Sequence, residues 1–277
     1  MRAALLQLTS SDDPQNNLRV TSDLVRDAAA EGAEFILTPE VTNCLSNSRS
    51  HQRTVLHREQ DDPTLSALRD DAARLGVWLL IGSLALKADP PEARFLNRSF
   101  LIAPDGSIAA RYDKIHMFDV AVSETETYRE SAGFKPGDTA VVAQTSFGTV
   151  GLSICYDVRF AYLYRKLAQA GAGILTVPAA FSHATGPMHW EPLLRARAIE
   201  TGSYVLAPAQ MGQHPSSKGR SRTTHGHSLA ISPWGEVLID AGQRFGAHYV
   251  DVDMSDVENA RKKIPSLQHD RDFGGPA

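Results

Sequence analysis

Apolar positions along the chain switch period again and again. Ala3–Leu8 is a short, largely apolar run of the kind a buried strand requires, and it is followed by Asn17–Ala30, where Leu18, Leu24, Val25 and Ala28 recur at helical spacing. Gly32 predicts the stop of that helix. Phe35-Ile36-Leu37 is the next strand, and it delivers Pro39-Glu40 just beyond its C-terminal end. Leu65–Leu75 returns to the helical period, Gly76 ends it, and Val77–Leu84 reads as a strand.

The rhythm then changes. Arg94–Ile102 and Ser107–Tyr112 flank Ala103-Pro104-Asp105-Gly106, whose Pro and Asp-Gly predict a tight reversal and hence a hairpin. Val141-Val142 and Val150–Ile154 form a second strand pair around Phe147-Gly148. A helix over Phe160–Ala170, a strand at Ile174–Pro178, a helix across Trp190–Ile199 and an apolar stretch at Tyr204–Ala209 come next. A turn at Pro233-Trp234-Gly235-Glu236 and strands near Val237–Ile239 and Tyr249–Val252 complete the series. Strands alternating with helices, plus hairpins, predict a mixed α/β layered fold with helices on at least one sheet face. No composition break marks a linker, so residues 1–277 are expected to form a single domain. Gln213–Gly226 is polar, with Pro215, Gly219 and the cations Lys218, Arg220 and Arg222, and is expected to be an exposed loop.

Charge and cysteine content narrow the function classes. Lys+Arg total 28 against Asp+Glu 32, a net charge of -4, so no global basic field draws the chain to nucleic acid or an anionic membrane. The longest apolar runs fall short of the roughly 20 residues needed to span a bilayer, and the N-terminal apolar stretch ends by Leu8 without a signal-peptide pattern. Cys44 and Cys155 are too few for a disulfide framework and suit a reducing compartment; a cytoplasmic location is the expectation.

Cys155 lies in Val150-Gly-Leu-Ser-Ile-Cys-Tyr-Asp157, where an apolar strand gives way to a helix. A sharp turn at such a junction can hold a nucleophile clear of the sheet beside free backbone N–H groups. Taken alone, a cysteine there is more often a buried small hydrophobe. Ser153 competes as a nucleophile through Gly151-Leu-Ser-Ile-Cys155, but the second glycine of a Gly-x-Ser-x-Gly elbow is missing. His225-Gly-His227 is spaced like a pair of ligands on one strand face, without a third ligand motif, so hydrogen-bonded or exposed histidines are the simpler account. A neutral thiol reacts poorly and needs a base or cation nearby. Thr38-Pro39-Glu40 and Arg111-Tyr-Asp-Lys-Ile-His-Met-Phe118 each place a charge beside an apolar segment that approaches the sheet end, although a lone Glu or Lys is usually a solvated surface charge.

Taken together, Pro39-Glu40, Tyr112-Asp-Lys-Ile-His-Met-Phe118 and Gly151-Leu-Ser-Ile-Cys-Tyr-Asp-Val-Arg-Phe160 resemble the nitrilase superfamily of carbon-nitrogen hydrolases, whose Glu-Lys-Cys triad occurs in this order. Similarity continues through Gly186-Pro-Met-His-Trp-Glu191, Arg195–Glu200 and Gly226–Gly235 and covers nearly the whole chain. The resemblance implies a four-layer α-β-β-α sandwich that pairs with a second copy into an eight-layer α-β-β-α-α-β-β-α homodimer. It implies Glu40, Lys114 and Cys155 as catalytic residues, with a further glutamate matched by Glu130 in Tyr128-Arg-Glu-Ser131. Glu124 and Glu126 keep that last assignment open.

The implied chemistry is hydrolysis of a small-molecule amide, with no metal or organic cofactor. Glu40 takes the thiol proton, while Lys114 and a backbone N–H near Tyr156 stabilise the oxyanion, and a thioester forms and is hydrolysed. Phe181 and Thr185 are candidate substrate-binding residues, although packing explains them equally well. The segments His189–Thr201 and Ala207–His214 look most like the deaminated-glutathione amidase branch, with ω-amidases next and N-carbamoyl hydrolases a further alternative. An anionic small amide is therefore expected; the Lys218, Arg220 and Arg222 loop either helps to attract it or is a solvated loop that never approaches the site. The alternative from another class is a non-catalytic binding protein on the same fold.

Overall fold

A computed structural model describes residues 1–121 and 127–275. In chain order its strands are β1 (Arg2–Gln7), β2 (Phe35–Leu37), β3 (Trp78–Lys87), β4 (Phe95–Ile102), β5 (Ile108–Asp113), β6 (Asp119–Ala121), β7 (Thr127–Arg129) and β8 (Val141–Thr145). They continue as β9 (Gly148–Leu152), β10 (Ile174–Thr176), β11 (Tyr204–Ala207), β12 (Met211–Gln213), β13 (Thr223–His225), β14 (Leu229–Ile231), β15 (Val237–Asp240) and β16 (Gly246–Asp251). The α-helices are α1 (Pro14–Ala30), α2 (Arg49–Val55), α3 (Pro63–Leu75), α4 (Ala161–Gln169), α5 (Gly186–Thr201) and α6 (Met254–Lys263).

Two six-stranded sheets are built on one plan, β16-β1-β2-β3-β4-β5 and β15-β14-β11-β10-β9-β8. In the first, β1, β2 and β3 run parallel, with antiparallel strands outside them. The second has β9, β10 and β11 parallel in the same way. Alternation along β1 shows why its apolar run is nearly continuous. Ala3 and Leu5 join the cluster that also holds Leu152, Ile174 and Leu206 of the other sheet, whereas Ala4 and Leu6 pack with Val25 and Ala28 of α1 and Leu65, Leu68 and Ala72 of α3. A strand covered on both faces has no polar face to display. Leu163 and Leu167 of α4 and Trp190 and Leu194 of α5 belong to the larger cluster and cover the second sheet.

Local signals set the helix ends. Asp13 accepts from the amides of Gln15 and Asn16 with Pro14 in the first turn, and Asp62 accepts from Leu65 N ahead of Pro63. Both satisfy amides that a helix start leaves unpaired. Gly76 ends α3 at φ 68°, a left-handed conformation that glycine adopts without a Cβ penalty.

The periodic elements lie where the apolar pattern predicts them. The polar stretch 213–226 is exposed or half-buried over 215–223, as its composition predicts, but differs from that expectation at its ends. Its ends belong to the β12–β13 ribbon, and His214 and Thr224 are buried because remote backbone and side-chain groups supply their hydrogen bonds. The short α2, the β6–β7 ribbon and α6 carry too weak an apolar period to be read from the sequence.

Loops beyond the parallel strands of the two sheets meet edge to edge. Gln210 is fully buried there and donates to Ser10 Oγ (2.8 Å) and Glu40 O (3.1 Å), while its Oε1 accepts from Ser10 N (3.0 Å). At Gly82 the approach is closest: a Cβ would stand 2.0 Å from Thr38 O, 2.5 Å from Pro178 Cβ and 2.6 Å from Pro39 O. Backbone on one side and a proline on the other cannot swing away. Gly82→Ala is therefore expected to lose about 1–3 kcal/mol of stability by overpacking and to displace Thr38–Glu40, measurable by denaturant unfolding. Unchanged unfolding would show that this junction has slack.

Candidate active site

Glu40 follows β2, Lys114 follows β5 directly and Cys155 follows β9, so three separate strand ends deliver three functional groups to one place. Glu40 Oε1 accepts from Lys114 Nζ and from Asn97 Nδ2, both at 2.9 Å, and its Oε2 accepts from Ala180 N at 2.8 Å. Lys114 Nζ also donates to both carboxylate oxygens of Glu130 at 2.9 Å. Glu130 Oε2 in turn accepts from Phe118 N at 2.6 Å. The ammonium is thus held between two carboxylates. Glu124 and Glu126, which compete with Glu130 on sequence grounds, lie outside the described residues.

Backbone strain gathers at the same place. Cys155 has φ 49° and Val41, next to Glu40, has φ 47°. Such conformations cost non-glycine residues free energy and persist where surrounding bonds impose them. Here Cys155 N donates to Pro178 O at 2.9 Å, and a short 3-10 helix starts at Cys155. The buried carboxylate of Asp157 fixes this turn. It accepts from Ile154 N (2.9 Å) and Tyr112 OH (2.7 Å) through Oδ2, and from His116 N (3.0 Å) through Oδ1, joining the cysteine turn to the segment that carries Lys114.

Electrostatics define the resting state. Burial opposes ionisation of Glu40, but the Lys114 charge and hydrogen bond, the Arg222 charge and the Ala180 amide outweigh it and hold the carboxyl below its ordinary range. Burial likewise disfavours the Lys114 cation, and Glu130 and Glu40 more than compensate, so the ammonium is retained. For Cys155, burial and the negative charge of Glu40 push the thiol well above its usual pKa. The group at rest is a carboxylate, an ammonium and a neutral thiol close to that carboxylate. This pairing suits proton transfer from sulfur to Glu40 as sulfur attacks.

Cys44 is also buried, its thiol pushed up to about 12 by burial and by Asp12 and Asp13, and its Sγ donates to Asp12 O at 3.8 Å. Ser153 Oγ is engaged with Tyr164 OH and Thr176 O, both at 2.7 Å. A serine so satisfied is structural. The rings of His225 and His227 stack at 4.5 Å, and His227 Nδ1 lies 2.9 Å from Asp240 Oδ1.

A cavity of about 610 Å³ opens over the cluster. Its walls include every site residue expected from the sequence: Glu40, Lys114, Cys155, Glu130, Tyr156, Phe181 and Thr185. Arg220 and Arg222 line it, but Lys218 does not, which separates that residue from the expected cationic trio. The main chain explains the difference, since the Lys218 turn is tied to Asp12 before the chain reaches the cavity. Arg49 and Arg129 add further positive charge to the wall. Asn97, Ala180, Gln210 and Arg49 escaped the sequence reading. Each acts across a long sequence separation, and no local motif marks it.

Residues 2–262 match the carbon-nitrogen hydrolase family. The chain is 38% identical over 271 residues to the deaminated glutathione amidase of Yersinia enterocolitica, covering 97% of this chain and 92% of that one. The deaminated glutathione amidase of Synechocystis sp. is 41% identical over 271 residues, with 96% and 97% covered. Among solved structures, the C. elegans NitFhit protein superposes with TM-score 0.88 at 33% identity; 98% of this chain is covered, and it spans 65% of that longer chain. Saccharomyces cerevisiae Nit3, a member of branch 10 of the nitrilase superfamily, gives TM-score 0.85 at 26% identity, with 97% and 96% covered.

His214, on the segment that brings Arg220 and Arg222 to the cavity, is pushed down to about 4 by burial, with Ser10 O opposing and the Arg222 charge adding to the shift. The unfolded chain binds a proton at this histidine below about pH 6.5, and the folded chain does not until about 4. Stability is therefore present above the unfolded pKa and lost as pH falls through this window, by an amount of order 3 kcal/mol. Urea unfolding of wild type and His214→Asn between these pH values should show a flatter dependence for the variant. Parallel curves would contradict a neutral buried His214.

Proposed function

The chain belongs to the carbon-nitrogen hydrolase family, and on that premise we propose that Cys155, Glu40 and Lys114 hydrolyse a small anionic amide, with deaminated glutathione the leading substrate. The enzyme is a hydrolase of non-peptide carbon-nitrogen bonds. The observation that carries the catalytic assignment is the single cluster in which a neutral thiol faces an ionised Glu40 beside a fully paired Lys114.

Glu40 accepts the Cys155 proton as Sγ bonds to the amide carbonyl carbon. Negative charge then develops on the carbonyl oxygen, where Lys114 and the Tyr156 backbone N–H stabilise it. Collapse of the tetrahedral species breaks the C–N bond, and Glu40 returns the proton to the leaving nitrogen. A water, deprotonated by Glu40, attacks the thioester carbonyl; collapse expels sulfur, which regains the proton, and the acid leaves. Glu130 contributes by holding Lys114 in place, since it shares the same ammonium and anchors Phe118 N. Tyr156, Phe181 and Thr185 form the substrate-facing wall.

Deaminated glutathione carries carboxylates at both of its ends, which complements a cavity walled by Arg49, Arg129, Arg220 and Arg222. For the architecture, the proposal is a four-layer α-β-β-α sandwich that pairs through its α4–α5 face into an eight-layer homodimer. Tyr162, Met188 and Ile199 support that face, being large apolar side chains more than half exposed on α4 and α5.

Wild type is expected to hydrolyse deaminated glutathione, and Lys114→Ala to lose about 100- to 1,000-fold in kcat with little change in KM, because its contact strengthens as the oxyanion forms. Steady-state kinetics with Cys155→Ala as the inactive control checks this. A change in KM alone would assign Lys114 to substrate binding. Turnover of short α-keto amides without deaminated glutathione would make the enzyme an ω-amidase, and equal, slow thiol labelling of Cys155 and Cys44 would favour a binding protein.

A further inference from the structure

Asp12, just before α1, is buried without a lysine or arginine side chain bonded to it among the described residues. Its Oδ2 accepts from Ser217 N and Ser217 Oγ at 2.8 Å, and more weakly from Ser216 Oγ and Lys218 N at 3.4 Å. All of these donors lie in one turn. Burial pushes the carboxyl up, but the Ser217 hydroxyl and amide and the nearby His51 hold it below its ordinary range. His51 Nε2 stands 3.6 Å from Oδ2.

The latched turn leads directly to the cavity. Arg220 O accepts from Asn47 Nδ2 at 3.0 Å, and Arg222 Nη2 donates to Ala180 O at 2.6 Å. Ala180 is the residue whose N–H holds Glu40. Arg222 Nε is buried and has no hydrogen-bond partner among the described residues, while the residue itself lines the cavity. The order of contacts is Asp12, the 216–218 turn, Arg220 and Arg222, then the cavity.

We infer that Asp12 is a positioning residue for substrate selection: by latching the 216–218 turn it presents Arg220 and Arg222 to the cavity and so sets the preference for anionic over neutral amides. This rests on the proposal that the cavity takes an anionic substrate. Simple electrostatics and the latch make opposite forecasts for Asp12→Asn. Removing a negative charge near the arginines, with the loop unmoved, raises the local positive potential and strengthens anion preference. Releasing the latch moves the arginines and weakens it.

The test compares the rates at which iodoacetate and iodoacetamide alkylate Cys155 in the full-length protein, read by peptide mass, together with KM for an anionic and a neutral amide. In Asp12→Asn the iodoacetate-to-iodoacetamide rate ratio should fall about five- to tenfold and KM for the anionic amide should rise similarly, with neutral-amide kinetics within about twofold of wild type. Ser217→Ala, which removes one donor, should shift the ratio in the same direction by less, and Arg222→Gln should lower it at least as far. A ratio that rises or stays unchanged in Asp12→Asn overturns the inference, as does equal slowing of both reagents. Iodoacetamide labelling of Cys155 and neutral-amide turnover report separately on the nucleophile, so loss of the latch effect alone leaves the proposed reaction standing.

Discussion

A primary ammonium cannot be buried without partners, and Lys114 sits almost fully inside the protein. Desolvating it costs several kcal/mol, and so does desolvating each carboxylate that pairs with it. Those costs are offset only if every oxygen and proton finds a bond. Glu40 and Glu130 together meet the ammonium, and the remaining carboxylate lone pairs are taken by Asn97 Nδ2, Ala180 N and Phe118 N. Because these donors come from β4, from the segment after β10 and from the segment after β5, satisfying one buried cation fixes the relative placement of both sheets.

Chemistry follows from the same constraint. Burial, together with the negative charge of Glu40, outweighs the nearby Lys114 cation and keeps the adjacent Cys155 thiol protonated at rest. Glu40 remains ionised because Lys114 and Arg222 hold it so. In the proposed reaction Lys114 faces both the base, Glu40, and the thiol, so charge moving from sulfur to a carbonyl oxygen would stay near a cation already in place. No reorganisation of water is needed to stabilise it, which is the advantage of a buried, prearranged site. Gly82 permits the arrangement mechanically, for only a residue without a side chain lets Thr38–Pro39 and Pro178 close to this distance.

Much of this was legible in the residues. The two-sided burial of β1, β2 and β9 appears as apolar runs, and the positions of Glu40 and Cys155 follow from where those runs end. Ser153 could be set aside because Cys155 stands where the elbow's second glycine would be, and the serine hydroxyl is indeed tied to Tyr164 and Thr176. Other features leave no local trace. Ala180 serves through its backbone N–H, which any residue supplies, and Gln210 looks like an ordinary surface amide until Ser10 and Glu40 are brought to it. The 213–226 segment reads as exposed because its composition is polar. Its His214 is buried because Ser10 O and Thr224 Oγ1 occupy both ring nitrogens. Helix α6 is nearly as elusive, since only Val257 and Ala260 among its residues are buried.

What unites the fold and the site is the claim that one thiol carries the acyl group between two half-reactions. The most direct measurement uses two amides with the same acyl group and different leaving amines, hydrolysed by wild type in the presence of hydroxylamine. If both pass through one Cys155 thioester, hydroxylamine and water compete for the same intermediate, and the hydroxamate-to-acid product ratio is identical for the two substrates although their rates differ. A product ratio that changes with the leaving amine would contradict the common thioester and, with it, the assignment of Cys155 as nucleophile.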